Sequence, residues 1–205
     1  MASRIHAALL SAILIFAAPC AGASAATGSP SEVVEHLNAV LLDVMRNAKE
    51  LGYQGRYERL APVLREAFNF PLMAGVSVGK HWRMLNEKQR AQLIESFARM
   101  SIGTFASRFD GYKGEHFELV GEQQGPRKSV LVRNRLIKSD GETVEINYLL
   151  KTYDDRWRVV DVYLDAKYSE LAMKRSEYTS VVANEGFDSL IRRIDDKLAQ
   201  FAAKG

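Results

Sequence analysis

Apolar residues recur along the first half of the chain at helical spacing, and along its middle at strand spacing. Over Ser31–Leu51, Val33, Leu37, Val40, Leu41 and Val44 fall on one helical face, with Ser31 placed to cap the start and Gly52 to end it. Arg56–Phe68 carries Leu60, Val63, Leu64 and Ala67, and Pro62 draws the start of this second helix toward Leu60. Asn69-Phe-Pro71 begins a short helix through Met73, and Gly75 and Gly79 punctuate the stretch after it. Asn86 and Gln89 form a capping-box pattern ahead of a long helix. Its stripe runs through Leu93, Ile94, Phe97, Met100, Ser101, Thr104 and Phe105 to a stop at Asp110-Gly111. The period then switches. Segments 116–120, 129–138, 143–153 and 156–165 are rich in β-branched and aromatic residues, with turns at Gly125-Pro126, Ser139-Asp140-Gly141 and Asp154-Asp155. Two helices close the chain, Ser169–Val182 and Asn184–Phe201.

Short turns make the strands antiparallel neighbours. The expectation is an α+β fold: a curved four-stranded meander, covered by N- and C-terminal helices and enclosing an apolar cavity. On alternation alone, Val130, Val132, Asn134 and Leu136 share a face. So do Val144, Ile146, Tyr148 and Leu150, and likewise Trp157, Val159, Asp161 and Tyr163. Leu131, Ile137, Leu149, Val160, Val162 and Leu164 fall on the other face.

The first 25 residues read as a secretory signal rather than structure. Arg4 and His6 form a basic start, Ala7–Ala18 an apolar run broken by Ser11, and Ala23-Ser24-Ala25 a cleavage site. Cys20, the single cysteine, would be lost with it; acylation at Cys20 is the rival reading, against which Pro19 stands. The remaining 26–205 are expected to form one exported domain, soluble and without thiol or disulfide. About 180 residues are enough for a full core. That product holds 27 basic against 25 acidic side chains, interleaved, with no long basic run to hold nucleic acid.

Catalytic equipment is scarce. His36, His81 and His116 stand alone, with no metal-ligand spacing. Gly75-Val-Ser77-Val-Gly79 matches a nucleophile-elbow motif by letter, but a helical piece precedes it where a strand is required. Asp154-Asp155 sits in a turn and Asp195-Asp196 on a helix face. Asp161 and Asp165 alternate with apolar residues on the fourth strand; if Trp157 and Val159 point inward, so does Asp161, which could serve as a general base in a cone-shaped enzyme or pair with a nearby cation such as Arg175. No catalytic residue, metal or cofactor is expected.

The strand Arg156–Asp165 leads into Ser169-Glu-Leu-Ala-Met-Lys-Arg-Ser-Glu-Tyr178. Ahead of it lie Tyr57-Glu-Arg-Leu-Ala-Pro62, Phe68, Met73-Ala74, Gly79-Lys-His-Trp82, Gln89-Arg90 and Phe97. In this order the motifs resemble the MlaC/toluene-tolerance family of periplasmic lipid-binding proteins. The closing motif is most similar to the family's hopanoid-associated, HpnM-like branch. Lys167-Tyr168 departs from the family's Gly-Val, and Phe105-Ala106 from its Tyr-Ala. A bulky Tyr168 could narrow a cavity mouth.

The resemblance implies a periplasmic shuttle that carries a phospholipid or hopanoid-type lipid between membrane complexes linked to an ABC transporter. Its partners would be lipid and those complexes, with transient membrane contact. It turns apolar positions that pattern alone assigns to the core into candidates for a lipid cavity. These are Phe68, Phe70, Met73, Trp82, Phe97, Met100, Phe105, Val132, Tyr148, Val160, Val162, Tyr163 and Tyr168. Lys80, Arg83 and Lys167 are candidates to touch a head group. The alternatives are the Asp161 enzyme and a ligand-free envelope interaction module with a filled core.

Overall fold

The computed structural model describes residues 28–165 and 167–204. The signal segment 1–25 lies outside the described residues. Helix α1 (Pro30–Arg46) starts two residues earlier than Ser31 would allow. Ser29 is the cap: its hydroxyl accepts from the Glu32 amide, and Glu32 accepts back from the Ser29 amide at 2.8 Å. Ser31 instead donates to Glu122 of the sheet, at 2.6 Å from its hydroxyl. The helix also stops before Gly52. Asn47 ends it, its amide and side chain both donating to the Asp43 carbonyl. Helix α2 (Ala48–Ala67) then runs on past a kink at Gly52, where φ is 56°.

Asn69 caps α3 (Phe70–Val78), and a 3₁₀ turn, Gly79–Met84, leads to α4 (Glu87–Arg108). Both halves of the Asn86–Gln89 capping box form. Strands β1 (His116–Gln124), β2 (Val130–Ile137), β3 (Thr143–Tyr153) and β4 (Arg156–Leu164) make the antiparallel meander. A two-residue strand β5 (Tyr168–Ser169) pairs with β4, so the sheet has five strands, not four. Alternation over two residues is too short a signal to mark such a strand. Helices α5 (Glu170–Glu185) and α6 (Phe187–Lys204) close the chain.

Two bulges bend the sheet. One lies between Leu119 and Gly121 of β1. The other leaves Val160 unmatched in β4: Leu150 faces Val159, yet Leu149 faces Asp161. The bulge reverses parity along β4. Trp157 and Val159 lie opposite Thr152 and Leu150, but Val162 and Leu164 then lie opposite Tyr148 and Ile146 on that same inner face. Asp161 and Tyr163 are turned to the other side with Leu149 and Asn147, which corrects the reading from simple alternation.

Helices cover the inner face. Near one end of the sheet the space is filled: Val132, Tyr148, Leu150 and Val159 are fully buried, as are Val34, Leu37, Leu41 and Val44 of α1. A pair of amides links the layers there. Asn38 Nδ2 donates to Asn134 Oδ1 at 2.9 Å, and Asn134 Nδ2 donates back at 3.2 Å. The chain leaving α2 seals the free edge of β4, where the Asn69 amide donates to the Val159 carbonyl at 2.9 Å.

Candidate functional site

At the other end the layers do not meet. A cavity of about 760 Å³ lies between the sheet and helices α4 and α5. That is within the range of small-molecule sites. On α4 the wall is Phe97, Met100, Ser101, Thr104, Phe105 and Arg108, a stripe at steps of three and four. On α5 it is Glu170, Leu171, Lys174 and Tyr178, with the same spacing. The sheet contributes Leu136, Val144, Ile146, Val162 and Leu164, and Met45, Phe68, Met73 and Phe109 complete the apolar lining.

Aromatic contacts hold this wall open. Phe68 meets Phe105 edge-on at 5.9 Å, Phe105 stacks on Phe109 at 5.8 Å, and Phe97 meets Tyr178 edge-on at 6.4 Å. Each such ring pair is worth ~0.5–1.5 kcal/mol beyond burial, which favours this arrangement over one folded into the space. The small hydroxyls in the wall are already engaged: Ser101 donates to the Phe97 carbonyl and Thr104 to the Met100 carbonyl. Among the described residues the hydroxyl of Tyr178 has no partner, and burial pushes its pKa well above the usual tyrosine range.

Charged residues surround the opening. Arg108, Lys113, Lys138 and Lys174 are interleaved with Asp110, Glu115, Asp140 and Glu170. Arg108 lies 3.9 Å from Glu170, joining the end of α4 to the start of α5. Lys138 pairs with Glu142 and Lys174 with Glu177. The rim is thus balanced rather than cationic.

Of the residues that the resemblance marked, Phe68, Met73, Phe97, Met100, Phe105 and Val162 line the cavity. Phe70 stands behind the wall, stacked on Phe68 at 5.5 Å. Val132 and Tyr148 face each other in the filled end. Val160 is the bulged residue, and Tyr163 lines a second hollow on the opposite face of the sheet. Trp82 lies under the Arg90 guanidinium, 5.4 Å from the ring centroid. Tyr168 is exposed on β5 and stays out of the cavity mouth. Lys80, Arg83 and Lys167 are exposed and not part of the wall. Sequence reasoning did not mark Met45, Phe109, Leu136, Val144, Ile146, Leu164, Leu171 or Tyr178 as lining. The continuing three-and-four spacing on α4 and α5 was the available signal for Phe109's neighbour Arg108, for Leu171 and for Tyr178.

Asp161 has a structural task. Its carboxylate accepts from the Val162 amide at 2.8 Å, the Leu171 amide at 3.1 Å and the Ser169 hydroxyl at 2.6 Å. Ser169 in turn caps α5 by accepting from the Ala172 amide. Burial lifts the Asp161 carboxyl above its ordinary value, against the opposing pull of these bonds. Arg175 is not its partner; that guanidinium lies near Gly79. Ser77 is fully buried inside α3 and donates to the Ala74 carbonyl, so it forms no nucleophile elbow. Among the described residues no cluster of His, Cys, Asp or Glu could hold a metal ion, and no helix is long and apolar enough to cross a membrane.

The family described as MlaC protein matches residues 35–196, well over half of the chain. No curated protein matches it. Among solved structures it is similar to the phospholipid-binding protein from Ralstonia solanacearum, determined in complex with a phospholipid. The TM-score is 0.75 at 16% identity, over 85% of this chain and 99% of that one. At that identity the likeness establishes the fold.

Proposed function

The chain belongs to the MlaC family, and from that premise we propose that it is a periplasmic lipid carrier. It binds one lipid, a phospholipid or a hopanoid-type lipid, and passes it between membrane complexes across an aqueous gap. The observation that carries this reading is the apolar cavity of about 760 Å³ with its charged rim. A fold shared with a protein that holds a phospholipid supports it. The lining of Phe68, Met73, Phe97, Met100, Phe105 and Val162 is proposed to contact the hydrocarbon.

The energetics suit a carrier. Each buried methylene is worth ~0.8 kcal/mol, so two acyl chains offer roughly 20 kcal/mol gross. Most of that offsets extraction from the bilayer, which leaves transfer close to balance in either direction. An interaction module with a filled core does not fit the open space. A base at Asp161 does not fit its position on the face away from the cavity.

Native mass spectrometry of protein purified from its own periplasm tests the proposal. The expected spectrum contains a one-to-one protein–lipid species, with the lipid recovered by organic extraction. A solely apo mass under gentle conditions would overturn the reading.

A further inference from the structure

Two motif residues, Gly79 and Arg175, have no part in the cavity, and the fold brings them together. Gly79 opens the 3₁₀ turn Gly79–Met84, and α5, which carries Arg175, packs against that turn. Gly79 has a φ of 54° and no side chain; Arg175 Nε lies 3.4 Å, and its Nη2 3.6 Å, from where a Cβ would stand. A larger residue there would be strained at that φ and would crowd the guanidinium. The bare glycine lets a cation of α5 lie against the turn.

The turn itself is basic. In a 3₁₀ helix residues three apart eclipse one another, so Lys80 and Arg83 share a side. Both are exposed, as is Arg175. Among the described residues none of the three makes an ion pair. The turn carries no acidic residue. Glu87 and Lys88, next along the chain, are exposed and offset each other, and Glu177 of α5 is held by Lys174. Three positive charges are left uncompensated, in contrast to the balanced rim of the cavity. Beside them Met84 ends the turn with 76% of its surface exposed, more than any other large apolar residue among those described.

We infer that this surface docks the protein on membranes that carry anionic lipid. Lys80, Arg83 and Arg175 meet the phosphates, and Met84 enters the boundary between head groups and acyl chains. A protein partner would have to supply a socket for the protruding Met84, whereas a fluid surface needs none. The contact is peripheral, and it does not depend on what the cavity holds. Lys174, the residue before Arg175, lies on the rim, so docking sets the rim near the bilayer.

Flotation of the purified protein with vesicles tests the assignment. One set is phosphatidylcholine alone; in the other about a third of the lipid is phosphatidylglycerol. The wild-type protein should float with the anionic vesicles only, and high salt should abolish this by screening. Each Lys or Arg near an anionic surface strengthens binding about fivefold. Lys80→Gln with Arg83→Gln should therefore weaken it about 25-fold, and adding Arg175→Gln about a hundredfold in all. The double variant leaves Arg175 and its contact with the turn in place, so it reads the charge even where the third change disturbs packing. Met84→Ser should weaken binding severalfold. Arg127, Lys128 and Arg133 are equally exposed and unpaired among the described residues, but lie on the β1–β2 loop and β2. Changing all three to Gln should leave flotation as in the parent. An equal loss there would mean that net charge alone drives binding, and would overturn the assignment. So would a wild-type protein that ignores anionic vesicles, or flotation untouched by the double and triple changes. Retention on immobilised polyglutamate but not on vesicles would make the surface a protein site and overturn the bilayer. None of these outcomes touches the carrier reading, which the co-purified lipid decides.

Discussion

Single side chains set where this molecule is filled and where it is hollow. Asn38 and Asn134 join α1 to the sheet in the filled end, and each satisfies the other's buried amide. Asn134→Ala should cost about 2 kcal/mol, because Asn38 is left buried without a partner. Asn38→Leu combined with Asn134→Val should recover most of that loss, since no polar group is then stranded. Urea denaturation of the single and double variants checks both. Asp161 yields a pH prediction. Its pKa is raised in the fold, so the folded chain keeps a proton to higher pH than the unfolded chain does. Its contribution is fully present below the unfolded aspartate value, about 3.9, and is lost as pH rises through the higher folded value. Asp161→Asn should remove that downward slope from a stability–pH curve and leave lipid loading intact. An unchanged slope would show that Asp161 does not titrate in this window.

Elements were easier to foresee than their edges. The period of three to four and the Asn86–Gln89 pair marked α4, and alternation marked the strands of the meander. Three features escaped for separate reasons. β5 is too short to carry a period. The cap of α1 was legible but overlooked: Ser29-Pro30-Ser31-Glu32 is a capping-box pattern with Pro at the first helical position, whereas Ser31 has Val34 where the box needs Glu or Gln. The Val160 bulge is a product of pairing between strands, invisible in either strand alone, and it misdirected the reading of Asp161, Val162 and Tyr163. Close helix packing was equally hidden. A methyl group added at Gly103 of α4 would stand 2.7 Å from the Leu198 side chain and 2.8 Å from the Tyr53 hydroxyl. Both neighbours are side-chain ends that can turn aside, so overpacking stays at the low end of its ~1–3 kcal/mol range and offsets the ~1 kcal/mol that alanine gains in a helix. Gly103→Ala should therefore leave Tm within a few degrees of the parent, measured by circular dichroism.

At the scale of the whole molecule, the family motifs and the α+β order were legible, whereas the cavity's position was not. Apolar stripes look alike whether they meet other side chains or surround open space. Only the placement of helices over one end of the sheet separates Val132 and Tyr148, which are packed solid, from Ile146 and Val162, which border the cavity. A substitution that fills the hollow tests its role without weakening the scaffold. Met100→Trp adds volume from α4 into the cavity and should reduce co-purified lipid by about tenfold or more. Tm should hold or rise, because the new side chain buries apolar area in existing space. Undiminished lipid recovery would mean that the hydrocarbon lies elsewhere.

The carboxylate of Asp161 grips the first turn of α5 from the far side of the sheet, while Leu171, Lys174 and Tyr178 of that helix border the cavity. The group therefore acts as a clamp set outside the hollow whose wall it steadies. Loosening it with alanine would free that wall from behind, and a screen confined to lining residues would pass it by.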